Sequence, residues 1–347
     1  MTTIYFAGGE DSEWSGMGPT AITTTAGSYR SSYARCGLAT NSNSSPNFSG
    51  FWQTTNPIAT IPNPCWFSHQ WDVIFSNTGA GPSTNPATGF YDSGGIARVA
   101  LRPFSQPVAG QMAWQVIKQN AAGTITQLGS NFNFPYAIVH TLMKVDIFVN
   151  YAVSGAVQVY VNGVQVFNFS GDVTTDSLTN MNGFYLRMGG PVQNPNYSGQ
   201  WAFSEAILAD TDTRGWTLQT LAPVANGNTH NFDTGSPAAS NVNETTLNDA
   251  TLDGSSVAGQ IDQYTLPSLA AGTWSVIALG ISSRMAKGAS GPSKMDLGVR
   301  SAGADYWSSD FTLTTGYQDF QYWQSVDPAT SAAWTGLPTN IGLKSVT

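Results

Sequence analysis

Apolar and polar residues alternate with a period of two along several stretches of this chain. In KVDIFVNY, Val145, Ile147, Val149 and Tyr151 fall on one face, with Lys144, Asp146 and Asn150 on the other. That period belongs to a half-buried β-strand. AVQVYVNGVQVFNF reads as a hairpin: Val157, Val159 and Val161 share a face, and Asn162-Gly163 can adopt the positive φ angles of a type I′ turn. SKMDLGVRS points Met295, Leu297 and Val299 inward. TWSVIALGISS is apolar on both faces, which predicts a central strand of a covered sheet. FSEAILA predicts the closing strand of a first domain. No stretch carries a convincing helical period.

Segments 40–65 and 76–95 are rich in Asn, Ser, Pro and Gly and read as long loops, punctuated by aromatics such as Phe48, Trp52, Trp66 and Phe90. A polar, turn-rich stretch, VANGNTHNFDTGSPAASNVNE, follows Pro223 and leads into a second set of strands. The boundary is expected near 216–226, giving domains 1–220 and 221–347. The fold class expected is all-β: a jelly-roll sandwich followed by a second, smaller β-sandwich.

Composition supports this. The 36 Gly, 18 Pro, 17 Phe, 13 Tyr and 11 Trp suit strands joined by many turns. Charged residues are only 10%, against a usual quarter, so hydroxyls and amides supply the polar surface. A net charge of −8 repels a phosphate backbone and argues against nucleic acid as a partner. No apolar run approaches the ~20 residues of a membrane-spanning helix. The start, MTTIYFAGGEDSEW, lacks the basic and apolar regions of a signal peptide.

Candidate chemistry is sparse. His69, His140 and His230 belong to no HExxH motif, and there is no GxSxG elbow, P-loop or GxGxxG. Cys36 and Cys65 lack CxxC spacing and read as buried free thiols in preference to a disulfide. DTDTRG (210–215) half resembles a calcium loop, but its fifth position is Arg214 and its twelfth is Leu221, so no metal is expected there. No cofactor is expected either. Glycoside hydrolysis needs two facing carboxyl groups, and no such pair can be read among Glu10, Glu13, Glu205, Glu244 and the scattered aspartates. Trp52, Trp66 and Trp307 are candidates for stacking on sugar rings; packing beneath loops is the other reading.

Scarce charge gathers at Asp210, Asp212 and Arg214. Asp and Thr side chains can hold a turn there, Gly215 can take a positive φ, and Trp216 can bury. The expectation is a rigid interdomain joint; an exposed turn with solvated charges is the alternative.

These stretches also carry a resemblance. KVDIFVNYAVSGAVQVYVNGVQVFNFSGD and WAFSEAILADTDTRGWTLQTLAP resemble the second half of a laminin-G/concanavalin-like jelly roll of tailed-bacteriophage virion proteins. AGQIDQYTLPSL, VIALGISSRMAKGASGPSKMDLGVRS and SVDPATSAAWTGLPTNIGLKSVT resemble the module that accompanies it. The resemblance covers roughly residues 140–347 and transfers no catalytic residue. It implies a non-enzymatic virion structural protein: a capsid decoration, a fibre or spike, or a tail component. Its partners would be other virion proteins and further copies of itself, a trimer first. The protein would be assembled in the host cytoplasm and released by lysis. A glycan-binding receptor-recognition protein, or a polysaccharide depolymerase, is the alternative.

Overall fold

The computed structural model describes residues 3–7, 14–17, 21–23, 36–38, 48–54, 57–75, 87–108, 111–135, 142–192, 199–235, 238–243, 248–269 and 271–347. Those up to Leu218 form one compact unit and those from Gln219 another.

Among the described residues the first unit holds β1 (Thr3–Ala7), β2 (Trp14–Met17), β3 (Ala21–Thr23), β4 (Cys36–Leu38), β5 (Phe48–Thr54), β6 (Cys65–Phe75), β7 (Thr88–Tyr91), β8 (Ala97–Val108), β9 (Gln111–Gln119), β10 (Ile125–Pro135), β11 (Leu142–Asn150), β12 (Gly155–Val161), β13 (Val164–Gly171), β14 (Tyr185–Val192) and β15 (Gly199–Ala209). Two antiparallel sheets make a jelly-roll sandwich, ordered β1-β15-β6-β11-β12-β13 and β10-β9-β8-β7-β14-β5-β2. β3 and β4 pair apart from them.

Alternation decides which residues enter the core between the sheets. Phe67, Val145, Ile147, Val149, Val157 and Val159 come from the first sheet; Phe90, Leu101, Trp114, Val116 and Leu186 come from the second. Each is 0–1% exposed. Burial of side chains this size is worth ~1.5–3 kcal/mol each. The β12–β13 turn forms as expected, with φ of 50° at Asn162 and 80° at Gly163. FSEAILA lies in β15, between β1 and β6, so it is an interior strand.

The second unit holds β16 (Ala225–His230), β17 (Thr234–Gly235), β18 (Asp253–Gly254), β19 (Ile261–Thr265), β20 (Leu279–Met285), β21 (Lys294–Ser301), β22 (Ala304–Trp307), β23 (Phe311–Thr312), β24 (Gln318–Gln324) and β25 (Asn340–Val346). Its main sheet runs β16-β19-β25-β21-β22, with β23 also on β21. Met295, Leu297, Val299 and Leu343 on that sheet pack against Ile281 and Met285 of the β20–β24 pair.

Two expectations need correction. TWSVIALGISS is not a central strand: only its end enters β20, which has β24 as its one partner. Its doubly apolar pattern serves a small sheet that packs over the larger one. The segments read as loops contain β5 and β7, both inside the second sheet of the sandwich; their residues 40–47 and 76–86 lie outside the described residues. The short β7, TGFY, is too brief and Gly-broken for period to reveal it.

Candidate functional site

On the second sheet of the sandwich, Phe90, Leu101, Val116 and Leu186 point into the core. Their neighbours must point the other way. Register lays those neighbours in a row. Arg187 on β14 pairs with Gln53 on β5 and with Gly89 on β7. Gly89 pairs with Ala100 on β8, Ala100 with Ile117 on β9, and Ile117 with Gln127 on β10. Two residues further along β8, Arg102 pairs with Gln115 of β9.

The middle of the row is closely packed, with Gly89, Ala100 and Ile117 all buried. Gly89 has a φ of +148°, and a Cβ there would lie 2.2 Å from the Val99 carbonyl oxygen. Polar side chains flank this floor. Arg187 Nε donates to Gln53 Oε1 at 2.6 Å, and its guanidinium lies 4.5 Å from the Tyr91 ring centroid. On the other flank, Arg102 Nε donates to Gln115 Oε1 at 3.1 Å, and Arg102 Nη2 donates to the same oxygen. The Gln115 amide then donates to Gln127 Oε1 at 2.8 Å and to Asn131 Oδ1 at 3.1 Å.

The arginines of β8 differ in their partners. Arg98 is neutralised: its Nη2 lies 2.6 Å from Asp92, and its Nη1 contacts Asp176. Arg102 has only an amide oxygen as acceptor and pairs with no carboxylate among the described residues. Burial lowers its guanidinium pKa below the ordinary value, with no anion to raise it. Burial likewise lowers Arg187, and it pushes the Tyr91 phenol up. A guanidinium held in place by an amide keeps donors for a ligand and matches a planar carboxylate in shape and charge. Tyr91, Ala100, Gln115 and Ile117 are at most 5% exposed, so the half-buried Arg102 is the part of this face that can meet a carboxylate.

The tryptophans expected to stack on sugars do not come together. Trp66 lies on the outer face of the first sheet, 5.2 Å from Phe148 and 5.7 Å from Tyr160. The Arg214 guanidinium sits over it at 5.4 Å. Trp307 belongs to the second unit, where it lies on Gly298: a Cβ there would be 2.4 Å from its Cε3. Trp52 pairs with Met188 across β5 and β14, and its side chain falls outside the described residues.

Segment 210–216 is fastened to the outer face of the first sheet. Lys144 Nζ donates to the carbonyls of Thr213 at 2.5 Å, Arg214 at 3.2 Å and Trp216 at 2.6 Å. Thr213 Oγ1 donates to the buried Asp146 at 3.0 Å. Arg214 pairs with Asp212 two residues away, both side chains exposed, and covers Tyr160 at 4.5 Å. Asp210 is exposed and accepts from Thr211 at 3.1 Å. Gly215 does not take the expected positive φ, and a Cβ there would meet nothing.

One group of three metal-ligand side chains occurs among the described residues: His230, Asp253 and Asp262 in the second unit, with ligand atoms all within 4.8 Å of one another. They are 23 and 9 positions apart, so no local motif announces them.

No family model and no curated protein matches the sequence. Similar solved structures include an endo-β-1,4-glucuronan lyase from the fungus Trichoderma reesei, at 9% identity and a TM-score of 0.44, over 60% of this chain and 96% of that one. Another is a carbohydrate esterase from the Shiga toxin-encoding bacteriophage phi24B, at 14% identity and a TM-score of 0.38, over 60% and 97%. A third is an alginate lyase from Pseudomonas aeruginosa, at 15% identity and a TM-score of 0.33, over 52% and 85%. Likenesses this distant bear on architecture and not on activity. They still correct one expectation, that the chain is not an enzyme. That reading rested on missing motifs, and lyases and an esterase stand among the similar structures.

Proposed function

We propose that the protein is carbohydrate-active and binds an acidic, uronate-bearing polysaccharide on the outer face of the second sheet of its jelly roll. The observation that carries this reading is Arg102: a partly buried guanidinium, oriented by Gln115 and, among the described residues, without a carboxylate partner. Leaving a cation so placed is costly unless an anion arrives. Arg187, Gln53 and Tyr91 extend the same face across the Gly89–Ala100 floor. The overall charge of −8 works against any polyanion at long range, so recognition depends on these local donors and weakens with salt.

A second reading, depolymerisation by β-elimination, is favoured by the pairing of Arg187 with Tyr91. Elimination takes the proton from the carbon beside the uronate carboxylate, forms a double bond there and breaks the bond to the glycosidic oxygen; it needs a cation on the carboxylate, a base for the first proton, here solvent water, and a proton for the departing glycosidic oxygen. A phenol kept protonated by burial can give that proton.

Titration calorimetry with a soluble polyuronate and with a neutral glucan tests the binding. Saturable uptake of the polyuronate alone, weakened by Arg102→Ala, is the result expected; equal or absent binding of both overturns it. The ultraviolet absorbance of unsaturated sugar ends in the same mixtures reads cleavage. On the sequence resemblance alone, we also propose a tailed-phage particle as the setting and a homotrimer as the assembly. Sedimentation analysis showing only monomer at high concentration would remove the trimer.

A further inference from the structure

The group His230, Asp253 and Asp262 lies where β16, β18 and β19 meet. Asp262 pairs with His230 in register and precedes by two residues Tyr264, which is in the core of the second unit. Its side chain thus points inward and is 0% exposed. A carboxylate in that position must be satisfied by its neighbours. One oxygen is: Asp262 Oδ1 accepts from the backbone N–H groups of Asn231 at 2.6 Å and Phe232 at 2.7 Å. The other, Oδ2, is paired with His230 Nδ1 at 2.5 Å. Asp253 repeats the arrangement. Tyr264 donates its hydroxyl to Asp253 Oδ2, while Oδ1 is buried and accepts nothing.

Each carboxylate therefore has one oxygen fixed by an outer donor and one turned toward the His230 side chain and the other acid. Two acids share that space with a single imidazole. This is the division of labour found around bound metals, where outer hydrogen bonds aim the ligand atoms. One imidazole and two carboxylates suit a borderline-soft ion that accepts N and O ligands at 2.0–2.2 Å; on binding it, His230 Nδ1 and Asp262 Oδ2, 2.5 Å apart, would separate to about 3.3 Å. Calcium and magnesium prefer all-oxygen shells.

We propose that His230, Asp253 and Asp262 bind one divalent transition-metal ion of the zinc class, with His230, the exposed member, leaving a coordination position open to water. The ion would tie β16 and β18 to β19 at one end of the main sheet.

The test uses the untagged full chain, stripped with a chelator and titrated with zinc by calorimetry and with cobalt by visible absorption. One equivalent of each, ligand-field bands for cobalt in a non-aqueous coordination shell, and a raised melting temperature are expected. His230→Ala should weaken zinc binding by at least ~100-fold, more than the 10–100-fold typical of losing an outer partner. Tyr264→Phe, which removes only such a partner, should fall within that smaller range. Should Asp262→Asn fail to fold, His230→Ala still decides, because its side chain is exposed. A cobalt spectrum unchanged from the hydrated ion, or zinc binding to His230→Ala equal to wild type, overturns the proposal, as does uptake of calcium in preference to zinc.

Discussion

Arg102 and Gln115 face each other across β8 and β9, and two guanidinium nitrogens of the first donate to the one side-chain oxygen of the second. The amide aims the cation without neutralising it. Arg102→Ala should cost about 1–3 kcal/mol of stability, because it leaves the buried Gln115 Oε1 without its donors, and should remove a charge-assisted bond to a polyuronate worth about 1.5–3 kcal/mol or roughly 10–150-fold in affinity. Gln115→Leu should weaken binding less and leave the salt dependence in place. Calorimetry at two ionic strengths reads both.

Gly89 lies in the closely packed row between the two arginines. Gly89→Ala brings a Cβ against the Val99 carbonyl at a φ of +148°, so it should destabilise by about 1–3 kcal/mol. It should also displace β8, which carries Arg102, and reduce polyuronate binding. Urea unfolding together with the binding assay measures the two effects separately.

Lys144 carries the weight at the 210–216 segment. Lys144→Met leaves three carbonyls without their donor and the fully buried Asp146 without the cation 3.5 Å away. Breaking a buried pair costs about 3–5 kcal/mol, and a drop of that order in unfolding free energy is expected. Arg214→Ala, by contrast, removes an exposed pair with Asp212 and should hardly move the midpoint.

His69 predicts a pH dependence. It is fully buried, stacked on Phe67 at 5.0 Å, and burial lowers its pKa from 6.5 to about 3. Above pH 6.5 the imidazole is neutral in both states and nothing changes. Between 6.5 and 3 the unfolded chain takes up a proton that the fold refuses, so stability falls as pH falls, by up to ~1.4 kcal/mol per unit. Below about 3 that loss is complete. His69→Leu should flatten the stability profile over this window, and a profile that keeps the wild-type slope would assign the loss to other groups.

Strand periodicity made much of this fold legible. Val145 to Tyr151, Val157 to Val161 and Met295 to Val299 each put their apolar residues in the core, and each was readable because its neighbours in sequence were not aliphatic, although Asp296 and Gly298 are buried as well. The signal failed where both faces are covered, as in TWSVIALGISS, and where a strand is four residues with a glycine, as in β7. The candidate site was not legible at all. Gln53, Tyr91, Arg102, Gln115 and Arg187 come from five strands, and only sheet order brings them onto one face. Aromatic residues drew attention to Trp66 and Trp307 instead, yet one sits under Arg214 and the other against Gly298. Asp146 reads as a solvent-facing position by period and is buried all the same, because a segment 67 residues away folds over it.

Cys65 begins β6 beneath the sandwich core with no exposed surface, and burial raises its thiol pKa far above the ordinary range. A thiol so placed cannot form the thiolate that alkylating reagents attack until the sandwich opens. In a Cys36→Ser background it becomes a clock: the rate at which iodoacetamide labels the native protein counts openings of the first sheet, with no dye attached and no denaturant added. Because β6 lies between β15 and β11, labelling would report the separation of an interior strand and not the fraying of an edge.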